Sequence, residues 1–101
     1  MDFKQRTLTC KLTTPELQKR RDTVIRNIKE SALEKTEIHE GVRLTFSGKD
    51  EVLDTLLNFI KTERMCCEFF EFHLSVQNDV AVLKIAGPEG TREFLRHELG
   101  L

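Results

Sequence analysis

Residues 47–67 carry one helical stripe, and that stripe dictates how the rest of the chain can pack. Val52, Leu53, Leu56, Leu57 and Ile60 recur at spacings of three and four. Carried forward at about 100° per residue, the stripe passes through Cys67. Arg64 lies near one margin, Glu63 near the other, and Cys66 faces further round beside Phe59. Ser47-Gly48-Lys49-Asp50 has capping-box spacing and opens the helix. A helix that is apolar on one side only needs a second layer to cover that side.

A second amphipathic helix is predicted upstream. Thr13-Thr14-Pro15-Glu16 combines a threonine cap, a proline in the first turn and capping-box spacing from Thr13 to Glu16. The helix runs to about Leu33, with Leu17, Val24, Ile25, Ile28 and Ala32 on one stripe. Arg21 sits within that stripe, where a charge needs a partner or a route to water.

Elsewhere the period falls to two. Leu8, Cys10 and Leu12 alternate with Thr7, Thr9 and Lys11 in a strand over Phe3 to Leu12. From Lys35 to Phe46 a further strand places Val42, Leu44 and Phe46 on one face, with Glu40-Gly41 allowing a turn or bulge. Phe72, Leu74 and Val76 alternate with His73 and Ser75. Gln77-Asn78-Asp79 is then a tight turn before the returning strand Val80 to Ala86. Gly87-Pro88-Glu89-Gly90-Thr91 leads into a short final helix carrying Phe94, Leu95 and Leu99. The order strand-helix-strand-helix-strand-strand-helix predicts a two-layer α+β sandwich, a largely antiparallel sheet with helices on one face. The last strand is apolar on both sides, so its second face suits cover by a partner subunit, as in a homodimer.

Composition narrows the function classes. At 101 residues, 39 % apolar and 33 % charged, the chain suits one globular domain over residues 1–101 with one core. A net charge of −1 lacks the basic footprint of a nucleic-acid binder. Met1 to Arg6 has no apolar signal-peptide core, and no apolar run approaches the length of a membrane span. A cytoplasmic location without membrane or nucleic-acid partners is the default. There, three cysteines read as free thiols or ligands rather than a disulfide framework. A bridge between Cys66 and Cys67 would close a small strained ring.

The segment Glu63-Arg64-Met65-Cys66-Cys67-Glu68-Phe69-Phe70-Glu71-Phe72 sets two of those cysteines side by side. Cys10 points from the first strand toward the helices and Cys67 from its helix toward the sheet, with Cys66 at the edge of the same neighbourhood. Both cysteines of the pair fall in the last helical turn, since the helix ends close to Phe69 or Phe70, and a frayed last turn lets both sulfurs swing together where mid-helix neighbours would diverge. Three thiolates suit a soft or borderline ion such as zinc, copper(I) or a thiophilic heavy metal. Zinc would want a fourth ligand, either Glu63 or the less well placed His73. Arg21, Glu63 and Arg64 would surround the sulfurs. Arginine can also lower a thiol pKa, so a small thiol enzyme or redox sensor is a second reading. In it Cys66 attacks, and Cys67 or Cys10 resolves. The third reading is a non-catalytic interaction module whose cysteines fill the core as small hydrophobes. An Arg21–Glu63 ion pair would then only fix the helix packing. The Gly87 to Thr91 turn could receive an anion on free amides, or serve merely as a helix entry with Glu89 opposing phosphate. Phe69, Phe70 and Phe72 read as core, and His39 and His97 as surface residues. No serine–histidine–aspartate set can be placed.

Glu63-Arg64-x-Cys66-Cys67-x-Phe69-x-x-Phe72 resembles the signature of a family of small, mostly uncharacterised bacterial proteins. Its members pair a cysteine on the first strand with an E-R-x-C-C-P-F-x-x-F block. Leu8-Thr9-Cys10, Arg21, Gly41 to Phe46 and Gly87-Pro88-x-Gly90-Thr91-x-x-Phe94-Leu95 extend the likeness along most of the chain. The resemblance implies a shared site at these cysteines, and similar segments occur in contexts associated with heavy-metal response. Glu68 stands where proline is usual in the family, which leaves the helix end less sharply fixed.

Overall fold

The computed structural model describes residues 14–101. The expected first strand, Phe3 to Leu12, and Cys10 with it lie outside the described residues. Helix α1 spans Pro15–Ser31. Thr14 is its N-cap, and the hydroxyl accepts from the Leu17 amide at 3.3 Å. The cap is therefore Thr14 rather than Thr13, because proline at the first helical position fixes where the helix starts. Ile25 and Ile28 are its buried residues.

The segment expected as a single strand from Lys35 to Phe46 is instead a hairpin, β1 (Glu34–Ile38) and β2 (Gly41–Ser47). The chain reverses at His39-Glu40, with Glu40 in the left-handed region at φ 51°. Gly41 starts β2 where a Cβ would strike the Ile85 carbonyl and approach the Ala86 Cα to 2.9 Å. Only glycine lets β2 lie that close to its neighbour. Helix α2 runs Asp50–Cys66, with Lys49 as N-cap and no side-chain cap bond. Ser47 does not close the expected capping box: it ends β2, and its hydroxyl accepts from the Lys49 amide at 3.4 Å.

Strands β3 (Glu71–Gln77) and β4 (Val80–Ala86) form the second hairpin, turning at Asn78-Asp79 with Asn78 at φ 54°. Among the described residues all pairings are antiparallel, in the order β1-β2-β4-β3. Register aligns Val42, Ile85 and Phe72 in one row and Leu44, Leu83 and Leu74 in the next. Val42, Leu44, Leu83 and Ile85 are all within 1 % of full burial, which marks the face under the helices. The opposite rows hold Arg43, Lys84 and His73, then Thr45, Val82 and Ser75. The protein is thus an α+β fold, with helices packed on an antiparallel sheet that has four strands among the described residues.

After β4, Gly90 at φ 97° caps the short helix α3 (Thr91–Phe94), which continues into a π-helical turn, Leu95–Leu99. The Gly87, Gly90 and Thr91 amides of the turn expected to receive an anion are engaged within the fold. Glu40 Oε1 accepts from Gly90 N at 3.1 Å and from Arg92 N at 3.4 Å, so the β1–β2 turn locks the entry of α3. Among the described residues no helix is long and apolar enough to cross a membrane.

Candidate metal centre

Two helices meet at the site. Arg21 sits in the first half of α1 and Glu63 one turn before the end of α2. The Glu63 side chain has no exposure and that of Arg21 only 12 %. Arg21 Nε donates to Glu63 Oε2 at 2.9 Å and its Nη2 to Oε1 at 3.1 Å. This two-pronged geometry is the strong form of the guanidinium–carboxylate pair. Burial works against the Arg21 charge, but the hydrogen bonds and charge of Glu63 outweigh it and hold the guanidinium above its ordinary value.

The helix ends between the two cysteines, earlier than the Phe69–Phe70 expected from sequence. Cys66 is the last helical residue and Cys67 the C-cap, at φ −122° and ψ 84°. The Cys67 amide still closes the turn by donating to the Glu63 carbonyl at 2.7 Å, and the Phe70 amide donates to the Cys67 carbonyl at 3.1 Å. Neighbouring side chains within a helix diverge by about 100°. Leaving the helix at Cys67 brings the two sulfurs back to 3.6 Å. Cys67 Sγ also lies 3.8 Å from Glu63 Oε1 and 3.9 Å from Arg21 Nη2.

Glu63, Cys66 and Cys67 are all buried, and a carboxylate oxygen and two sulfurs fall within 4.8 Å of one another. A buried group of this composition could hold a metal ion. Cys67 is a free thiol, whereas Cys66 is disulfide-bonded. Cys67 agrees with the expectation of free thiols and Cys66 corrects it; that expectation rested on compartment and an odd cysteine count rather than on geometry. Arg64 is exposed, and among the described residues no hydrogen bond joins it to the group. His73 is exposed too, on the sheet face away from the helices, with Nε2 3.2 Å from Glu71 Oε1. Phe69 and Phe70 are buried and Phe72 half-buried, in a chain of edge-to-face rings that includes Phe59 and Phe94. His39 and His97 lie at the surface.

The Cys67 thiol is pushed up to about 12, by burial first and then by the Glu63 carboxylate, against the opposing pull of Arg21. Arginine alone was expected to lower it; the carboxylate that arginine holds in place does the reverse. The unfolded thiol ionises near 9.0 while the folded one keeps its proton to about 12. This group's contribution to stability is therefore complete below pH 9 and declines as pH rises through that window. Iodoacetamide should accordingly label Cys67 in the folded protein only slowly at neutral pH. Glu63→Gln removes the carboxylate charge and leaves Arg21, so the labelling profile should move to lower pH. An unchanged profile would show that burial alone sets the thiol.

No family model, curated protein or solved structure matches the chain.

Proposed function

We propose that the reduced protein binds one soft or borderline metal ion per chain through Glu63, Cys66 and Cys67. The observation that supports this reading most is the convergence of one carboxylate oxygen and two sulfurs at fully buried positions of a single helix end. Thiolate sulfur selects zinc, copper(I) and heavier thiophilic ions over magnesium and calcium. Reduction is a prerequisite, because Cys66 is disulfide-bonded. Two electrons and two protons turn a disulfide into two thiols, and each coordinating thiol then releases its proton to solvent as its sulfur binds the ion. The reading places the binding form in a reducing compartment such as the cytoplasm. Cys10 joins the candidate ligands from the sequence argument alone.

Titration after phosphine reduction, with the phosphine removed and oxygen excluded, tests the reading. One cadmium ion per chain should appear with thiolate-to-metal charge-transfer absorption and should be lost in Cys66→Ser and Cys67→Ser. Uptake unchanged in both variants, or no uptake by the reduced protein, would refute it.

Reversible thiol chemistry at Cys66 is a second reading, favoured by the disulfide itself. It expects the accessible thiol count to rise on mild reduction and to fall again with peroxide while the fold persists. A disulfide that yields only after denaturation would count against it.

A further inference from the structure

Resting on the metal-binding reading above, we infer that the ion is a tetrahedral divalent one of the zinc type, and neither copper(I) nor any other linear two-coordinate ion. The distances between donors carry the first half of the argument. Zinc–sulfur bonds are about 2.3 Å, so the 3.6 Å spacing that the two sulfurs have while Cys66 is disulfide-bonded, kept by the same backbone on reduction, would subtend roughly 100° at the ion. With a zinc–oxygen bond of about 2.1 Å, the 3.8 Å gap between Cys67 Sγ and Glu63 Oε1 subtends roughly 120°. Both angles bracket the tetrahedral value. A linear ion with bonds of the same length would need its sulfurs about 4.6 Å apart. The two cysteines are adjacent, and hydrogen bonds from the Cys67 and Phe70 amides fix the backbone around them, so the helix end resists that spreading.

Charge carries the second half. Two thiolates and the Glu63 carboxylate face one guanidinium, which leaves two negative charges in a site with no exposure at any of its three donors. A divalent ion neutralises them. A monovalent ion leaves a buried charge uncompensated, which is costly. A further thiolate would raise that excess and disfavour the monovalent ion still more. Arg21 then acts as the positioning residue: its paired hydrogen bonds fix the plane of the carboxylate and hold Oε1 on the side of Cys67. The Cys66–Cys67 and Cys67–Glu63 separations each fit neighbouring corners of a tetrahedron, and a fourth corner is left to another donor.

Cobalt(II), a spectroscopic stand-in for zinc, separates the outcomes. The phosphine-reduced chain should take up one cobalt per chain, with the intense visible bands of a tetrahedral ion, and zinc should bleach them stoichiometrically. Cys67→Ser keeps the Arg21–Glu63 pair and should fold while losing the sulfur charge-transfer band. Glu63→Gln should weaken cobalt binding by at least about tenfold, the lower end for disturbed metal surroundings; unfolding of either variant is checked by circular dichroism. Copper(I) or mercury(II) uptake with no cobalt or zinc uptake would overturn the ion class while leaving metal binding intact. Weak octahedral cobalt bands would also overturn it. No uptake of any of these ions would remove the metal-binding reading itself.

Discussion

Arg21→Met is expected to destabilise the fold by about 3–5 kcal/mol, the cost of leaving a buried charge without its partner. The variant leaves Glu63, with no exposed surface, facing methionine and the Cys67 thiol. Glu63→Leu should cost less, because the Arg21 side chain is 12 % exposed and can extend its head toward water. The double variant Arg21→Met/Glu63→Leu removes both charges together and should recover most of the loss, since a well-packed apolar pair often replaces a buried ion pair at little cost. Urea denaturation of the four proteins closes the cycle and should give a coupling of at least about 2 kcal/mol. Losses that simply add would mean that the pair does not hold α1 on α2. If the double variant is stable yet takes up no metal, the pair is kept for the site rather than for the packing.

Arg21 shows how much of this centre was legible in the sequence. A charge inside an apolar stripe demands a partner, and Glu63 on the margin of the facing helix was the natural one; both statements come from period alone. The meeting of the cysteine sulfurs was legible only in outline, from the placing of both in the last helical turn, where a frayed end lets adjacent sulfurs swing together. Helical period drives residues 66 and 67 apart, and only the helix end between them brings their sulfurs together. Glu68 carries no helix-breaking signal, so that end could not be placed to the residue from the amino acids alone. The disulfide at Cys66 was missed because the compartment argument concerns populations of proteins, not the geometry of one. β1 was absorbed into its neighbour for a different reason. Glu34–Ile38 is an edge strand, exposed over four of its five residues, so it carries almost no apolar alternation. Its boundary lies at Glu40, a non-glycine residue in the left-handed region, which propensity does not anticipate. The second hairpin was clear because Asn78-Asp79 supplies turn chemistry between two strongly alternating runs.

Phe59→Ala should produce the second large loss, about 3–5 kcal/mol, the usual range for a fully buried phenyl. Phe59 has no exposed surface and packs edge-on against Phe72, with ring centroids 6.1 Å apart and planes at 88°. In a domain of this size the loss corresponds to a fall in melting temperature of roughly 15–30 °C. Leu57→Ala, two residues earlier at a 45 % exposed position, is the control and should change stability by less than about 1 kcal/mol. The two substitutions also differ in what they do to the candidate metal centre. Phe59 stands one helical turn before Glu63, on the buried side of α2, so the cavity opens under the turn that orients the carboxylate. Cobalt affinity of the reduced Phe59→Ala protein, measured well below its melting point, should fall even though every donor atom remains. Leu57→Ala should bind as the parent does. A stability loss under about 1 kcal/mol for Phe59→Ala would mean that the layer beneath the site repacks freely. The donors would then have to be held by the Arg21–Glu63 pair and the helix end alone.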